Sequence, residues 1–301
     1  MRQTTIENMV SLRGVGLHSG QEVEVRVLPA FPDTGIRILR TDSKELKEVQ
    51  VSAYNVTSTE LATSVGSGDS SVKTIEHLMS AFYGMGIDNA LIEVRGPEIP
   101  IMDGSAKPIA EILMKAGIKY LSKPRRYLKI NKRVRLEYNE KWIEIIPSRF
   151  FKVTLTIDFQ NPFIGQQKGF IKVTPESYLK EVSGARTFGF KEEVERLSQM
   201  GLAKGGSLEN AVVVSEEGIV NDGGLRYEDE FVRHKILDLI GDISLVGYRI
   251  LGHIRGYKTG HQINNLFAKE LLQRTDAYTI YEAENEYVED KELVLKPQGV
   301  V

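Results

Sequence analysis

Apolar and polar residues alternate through Glu22-Val23-Glu24-Val25-Arg26-Val27-Leu28, a period of two that predicts a half-buried strand. After the polar stretch Ser64–Ser71 the period changes. Ile75, Leu78, Met79 and Phe82 fall at i, i+3, i+4 and i+7, one face of a short helix closed by Gly84 and Gly86. A strand is expected at Ala90–Val94. Asp103-Gly104-Ser105 then opens a second helix, with Pro108 in its first turn and Ile109, Ile112 and Leu113 inward. Ser122-Lys123-Pro124-Arg125-Arg126 reads as a linker, with proline and charge between two patterned regions. Beyond it the style recurs: strands near Val134–Leu136, Trp142–Ile146 and Val153–Ile157, a helix around Phe231–Val246 and a shorter one at about Ile263–Arg274. Strands and two helices in each half predict an α+β fold of two related halves, although identity between them is too faint to establish a repeat.

The chain length of 301 residues fits about two domains of ordinary size. A formal net charge of −2, with both signs mixed along the chain, argues against general nucleic-acid binding. No apolar run approaches the roughly 20 residues of a membrane span, and Met1–Ile6 lacks the apolar stretch of a signal peptide. The absence of cysteine excludes disulfides and cysteine metal sites and fits a reducing compartment. A cytoplasmic setting is expected.

Three of the five histidines stand in settings that suggest chemistry. His77 follows Glu76 directly, His234 precedes Asp238 by four residues, and His261 follows Gly260 at the entry to a helix. On the wheel of the Phe231–Val246 helix, Val232, Ile236, Leu239, Ile240, Ile243 and Val246 form the core face. His234, Asp238 and Asp242 fall at i, i+4 and i+8, a stripe on the opposite side. Two imidazoles and one carboxylate make a three-ligand set that leaves one tetrahedral position open, the layout of a catalytic zinc site. Glu76 diverges from His77 by about 100° on a helix, so it suits a general base better than a second ligand there. His261 suits the proton donor that a nitrogen leaving group needs, with Asp242 holding it protonated. An exposed polar helix face and a structural loop histidine explain the same residues, and the pattern alone leaves both readings open.

The ordered motifs Gly14-Val15-Gly16-Leu17-His18-Ser19-Gly20, Thr74-Ile75-Glu76-His77-Leu78, Gly86-Ile87-Asp88-Asn89 and Ile99-Pro100-Ile101-Met102-Asp103-Gly104-Ser105 carry a family resemblance. Ala185-Arg186-Thr187-Phe188-Gly189-Phe190, Lys204-Gly205-Gly206-Ser207, the run Leu225–Lys235 and the Gly260-His261 loop extend it over nearly the whole chain. The chain resembles the LpxC family, zinc-dependent UDP-3-O-acyl-N-acetylglucosamine deacetylases that catalyse the committed step of lipid A biosynthesis.

The resemblance implies His77, His234 and Asp238 as zinc ligands, with iron(II) a possible substitute. It implies Glu76 as general base, His261 as general acid with Asp242 as its partner, and Thr187 as a hydroxyl stabilising the oxyanion. Lys235 would contact the anionic substrate, Phe159 the nucleotide end, and Phe188 lies close to the Thr187 position. The implied fold is two β-α-α-β domains, residues 1–124 and 125–280, each with a small insert, their helix layers packed between two outer sheets. The second insert, from about residue 190 to 214, would form the acyl passage, with Val194, Leu197, Leu202 and Leu208 as apolar candidates. Those positions read equally as one side of an ordinary amphipathic helix. Residues 281–301 are expected as an acidic tail. The expected partner is a small acylated UDP-sugar, met by a monomer without nucleic acid. Competing classes are a kinase, an RNA-binding module and a structural metal site. Lys204-Gly205-Gly206-Ser207 lacks phosphate-loop spacing and reads as a turn, RNA binding lacks a basic stripe, and a structural site leaves Glu76 and His261 without a task.

Overall fold

The computed structural model describes residues 1–283. The chain runs through β1 (Arg2–Ile6), β2 (Val10–Val15), β3 (Glu22–Pro29), β4 (Ile36–Arg40), β5 (Glu48–Gln50), β6 (Val56–Ser58) and β7 (Ser64–Val65) before helix α1 (Glu76–Gly84). Strand β8 (Ala90–Arg95), helix α2 (Lys107–Ala116) and β9 (Ile118–Pro124) complete this part. Strands β10 (Arg126–Ile130), β11 (Val134–Tyr138), β12 (Lys141–Pro147), β13 (Lys152–Asp158) and β14 (Gln166–Lys172) follow, then the single turn α3 (Pro175–Ser177). Next come β15 (Phe188–Phe190), α4 (Lys191–Gln199), β16 (Val212–Val214), α5 (Glu230–Ser244), β17 (Arg249–Tyr257), α6 (His261–Gln273) and β18 (Tyr278–Glu282).

Two sheets dominate, and they share one strand order. The first runs β2-β3-β8-β4-β5, with β8 antiparallel to β3 and parallel to β4. The second contains β11-β12-β17-β13-β14, with β17 antiparallel to β12 and parallel to β13, extended by β10 and β18. In each, the central strand is reached from a helix and left into another: α1-β8-α2 and α5-β17-α6. The repeat that sequence identity leaves undecided is therefore plain in the topology. Helices α2, α5 and α6 pack on the sheets, and α1 packs along α5, joining the two helix layers through one continuous apolar core.

That central packing decides between the two open readings of the Phe231–Val246 wheel. All nine residues of α1 are buried, and so are His234, Asp238 and Asp242 on α5, so the stripe is not an exposed polar face. A wheel sorts polar residues to solvent by default, but α5 has sheet on one side and α1 on the other. The linker expected at 122–126 is also replaced by pairing. β9 runs antiparallel to β1, and Arg125 is held by Asp88 Oδ2 and the Gly86 carbonyl, both at 2.8 Å, before β10 starts. No residue of β9 is fully buried, so no alternation marks it as a strand.

The insert expected from about residue 190 to 214 is a small β-α-β unit, with β15 parallel to β16 and α4 between them. Tyr281 and Glu282, read from sequence as the start of a tail, end strand β18 against β10. The rest of that tail, from residue 284, lies outside the described residues. None of the described helices is long and apolar enough to cross a membrane.

Candidate metal centre and active site

Helix α1 begins at Glu76 because the chain turns sharply just before it. Thr74 takes φ +59°, a costly conformation for a β-branched residue. Its hydroxyl donates to the buried carboxylate of Glu98, which helps hold it there. The first turn of α1 thereby points Glu76 and His77 at α5. His77 Nε2 lies 3.5 Å and His234 Nε2 3.4 Å from Asp238 Oδ1, and one donor atom from each of the three residues lies within 4.8 Å of the others. All three side chains are buried.

These residues fit a metal ion. Asp238 Oδ1 is buried and accepts no hydrogen bond, a vacancy that costs free energy unless a cation fills it. Its other oxygen accepts Lys235 Nζ at 2.9 Å. His234 donates Nδ1–H to the Ala185 carbonyl at 3.1 Å, which leaves the Nε2 lone pair facing the site. Burial pushes His234 down to about 3, so its ring is neutral and able to ligate. Burial alone would raise Asp238, but His234, Lys235 and His77 outweigh it and hold the carboxylate well below its usual range. Two imidazoles and an ionised carboxylate suit a divalent transition ion such as zinc.

Two more titratable groups face this cluster. Burial raises Glu76, an effect that His261 and His77 partly offset. Glu76 Oε2 accepts the Thr63 N–H at 3.0 Å, and Oε1 lies 3.9 Å from His261 Nε2. His261 donates Nδ1–H to Asp242 Oδ2 at 2.9 Å. Burial would lower His261, yet Asp242 and Glu76 raise it to about 10, so the ring carries two protons near neutrality. A carboxylate displaced toward basicity and an imidazolium beside it make an acid–base pair next to the His77, His234 and Asp238 cluster.

Lys235, a quarter exposed, sits over the Phe188 ring with Nζ 5.3 Å from its centroid. Phe188 packs edge-on against Phe159 at 5.6 Å and against His234 at 6.2 Å, so Phe188 lies beside the cluster and Phe159 one ring further out. Phe190, taken from sequence only as the edge of the insert, joins them at 5.9 Å from Phe159. Thr187 is fixed through its backbone: its N–H donates to Gly104 O and its carbonyl accepts Val212 N–H, both at 2.8 Å. Val194, Leu197 and Leu202 are half-buried, and Leu208 is exposed, so none of the four belongs to the closed core.

Several motifs prove to be scaffolding for these groups. Buried Glu230 accepts the Arg186 N–H and guanidinium at 2.9 Å and the Arg226 N–H at 2.6 Å, tying the chain before Thr187 to the start of α5. Arg226 reaches on to Asp103 at 2.8 Å. A side chain on Gly205 would strike the Gly16 carbonyl, with its Cβ 2.3 Å away. The two glycine-rich loops therefore touch backbone to backbone, and the turn reading of Lys204–Ser207 agrees with this contact. Residues with no sequence signal are Thr63 and Asn264, which donate to Asp242 at 2.6 and 2.9 Å. A single threonine or asparagine in a loop or helix is too common to stand out.

Known proteins resemble this chain over nearly its whole length. The profile of the family LpxC, UDP-3-O-acyl N-acetylglycosamine deacetylase, matches residues 3–273. A UDP-3-O-acyl-N-acetylglucosamine deacetylase of Geobacter sp. strain M21 is 46% identical over 280 residues, 93% of this chain and 92% of its own length. Proteins of the same name from Syntrophotalea carbinolica and Myxococcus xanthus are 47% and 45% identical, covering 93% and 95% of this chain and 91% of their own lengths. With a match of this extent, the chain belongs to the LpxC family.

Proposed function

We propose that this chain hydrolyses the acetamide of a UDP-3-O-acyl-N-acetylglucosamine, releasing acetate and the free amine that commits the sugar to lipid A. The observation that carries this reading is the convergence of His77, His234 and Asp238 from two helices, with Glu76 and His261 facing the same point. His77, His234 and Asp238 would hold a zinc ion, or iron(II) on the same donors, and the bound ion would supply Lewis-acid chemistry.

Glu76 Oε1 takes the proton of the water as it attacks, since Oε2 is already engaged by the Thr63 N–H. The Thr187 hydroxyl donates to the oxygen that gains charge. His261 then delivers a proton from Nε2 to the sugar nitrogen as the C–N bond breaks, and keeps its Nδ1–H, which it still donates to Asp242. Lys235 neutralises the anionic substrate, Phe159 and Phe188 pack against its nucleotide end, and Val194, Leu197, Leu202 and Leu208 border the acyl chain. The enzyme works in the cytoplasm as a monomer and needs no nucleic acid.

The test is release of free amine from UDP-3-O-acyl-N-acetylglucosamine, measured before and after chelation and after zinc or iron(II) is added back. The expected result is activity that chelation removes and metal restores. A fully metallated protein that releases no amine overturns the substrate assignment.

A further inference from the structure

We infer that Thr63 is the positioning residue that aligns the base and the acid of this site at once, an inference that rests on the acid–base reading above. Thr63 is 1% exposed and uses all three of its polar groups. Its N–H donates to Glu76 Oε2 at 3.0 Å, its hydroxyl donates to Asp242 Oδ1 at 2.6 Å, and its carbonyl accepts the Ile75 N–H at 3.1 Å. These contacts join the segment before β7 to the start of α1 and to the last turn of α5.

The consequence for Glu76 is a choice of oxygen. With Oε2 held by the Thr63 backbone, Oε1 is the oxygen turned toward His261, 3.9 Å away. The consequence for Asp242 is a fixed rotation. Oδ2 accepts from both His261 Nδ1 and Asn264 Nδ2 at 2.9 Å, and the Thr63 hydroxyl is the donor to Oδ1. Without that donor a buried carboxylate oxygen loses its hydrogen bond, and the carboxylate turns to recover one. The His261 ring is anchored through the same carboxylate, so it turns too. Leu61, two residues before Thr63, holds φ +62°, a strained conformation that the surrounding contacts must enforce.

The side-chain and backbone roles separate by substitution. Thr63→Val keeps the shape and the N–H to Glu76 but removes the hydroxyl, and Thr63→Ser keeps the hydroxyl. Two readouts are needed: steady-state amine release, and the downfield proton resonance of the His261 Nδ1–H, which needs no substrate. For Thr63→Val the expected result is a kcat lower by ~10-fold or more, the size of one hydrogen bond to a charged group. KM and metal content stay unchanged, the resonance shifts or is lost to exchange, and Thr63→Ser restores both. A Thr63→Val protein with unchanged kcat and unchanged resonance overturns the inference. So does a Thr63→Ser protein that behaves like Thr63→Val, because packing alone then accounts for the residue. If the unsubstituted protein releases no amine, the substrate assignment fails separately and the resonance alone decides the role of Thr63.

Discussion

Gly241 lies where α5 crosses α1, and replacing it by alanine tests whether that crossing builds the metal centre. A Cβ there would stand 2.1 Å from the Glu76 carbonyl oxygen, 2.9 Å from its carbonyl carbon and 3.1 Å from its Cα. Ordinary contact begins near 3.4 Å, and the obstacle is backbone rather than a flexible side chain, so the helices must part by about 1.3 Å. His77 rides on α1, while His234 and Asp238 ride on α5. Metal-ligand distances tolerate only about 0.2 Å, so a displacement of this size takes His77 out of reach of a shared ion. The expected outcome of Gly241→Ala is overpacking that costs ~1–3 kcal/mol of stability and zinc affinity lower by ~100-fold or more. Thermal unfolding and competition with a chromophoric chelator measure the two. Gly223→Ala is the control, because a Cβ there meets nothing within 4 Å. Zinc affinity and melting temperature of Gly241→Ala equal to those of the control would refute the reasoning.

Three other outcomes are expected. Glu76→Ala retains its metal, measured by atomic emission, while turnover falls by about 100-fold or more; near-normal turnover removes Glu76 from the role of base. His234→Ala loses metal affinity itself, and unchanged metal content contradicts its place as a ligand. Glu144 lies on the second sheet, buried, and accepts from Arg133 at 2.7 Å and from Arg135 at 3.3 Å, with Arg255 as a third partner. Burial alone would raise Glu144, but the three arginines hold it below the usual carboxylate range. A depressed folded-state value stabilises the protein above the unfolded pKa of about 4.3, and this contribution is lost as pH falls through the folded value. Glu144→Gln is therefore expected to cost roughly 1–2 kcal/mol at neutral pH, discounted for the exposure of the arginines, and to make acid unfolding less steep in urea titrations between pH 7 and pH 3.

The elements with strong periodicity were legible in the sequence. The strands through Val23–Val27 and Ala90–Val94 and the helices carrying His77 and His234 appear where their apolar spacing puts them. The shared face of His234 and Asp238 was legible as well, because residues one helical turn apart lie together whatever that face meets. What the face meets was not legible. His234, Asp238 and Asp242 look solvent-directed on a wheel and become buried only because α1 covers them, a fact of tertiary packing. Gly241 has no periodic signature; its role is a distance to another helix's backbone. The shared strand order was hidden for a different reason, since pairing constrains alternation and turn placement but barely constrains which apolar residue occupies each position. At 122–126, charges and a proline at the end of a strand with no buried residue gave the composition of a linker to a segment that is paired with β1.

On the proposed function, one metal ion held by His77, His234 and Asp238 makes this chain an amide hydrolase. Stepwise zinc titration of the metal-free protein, with amine release from UDP-3-O-acyl-N-acetylglucosamine measured at each addition, tests it most directly. The expected result is activity that rises linearly and breaks at one equivalent per chain. Activity in the metal-free protein, or zinc bound at one equivalent with no release of amine, would contradict the account.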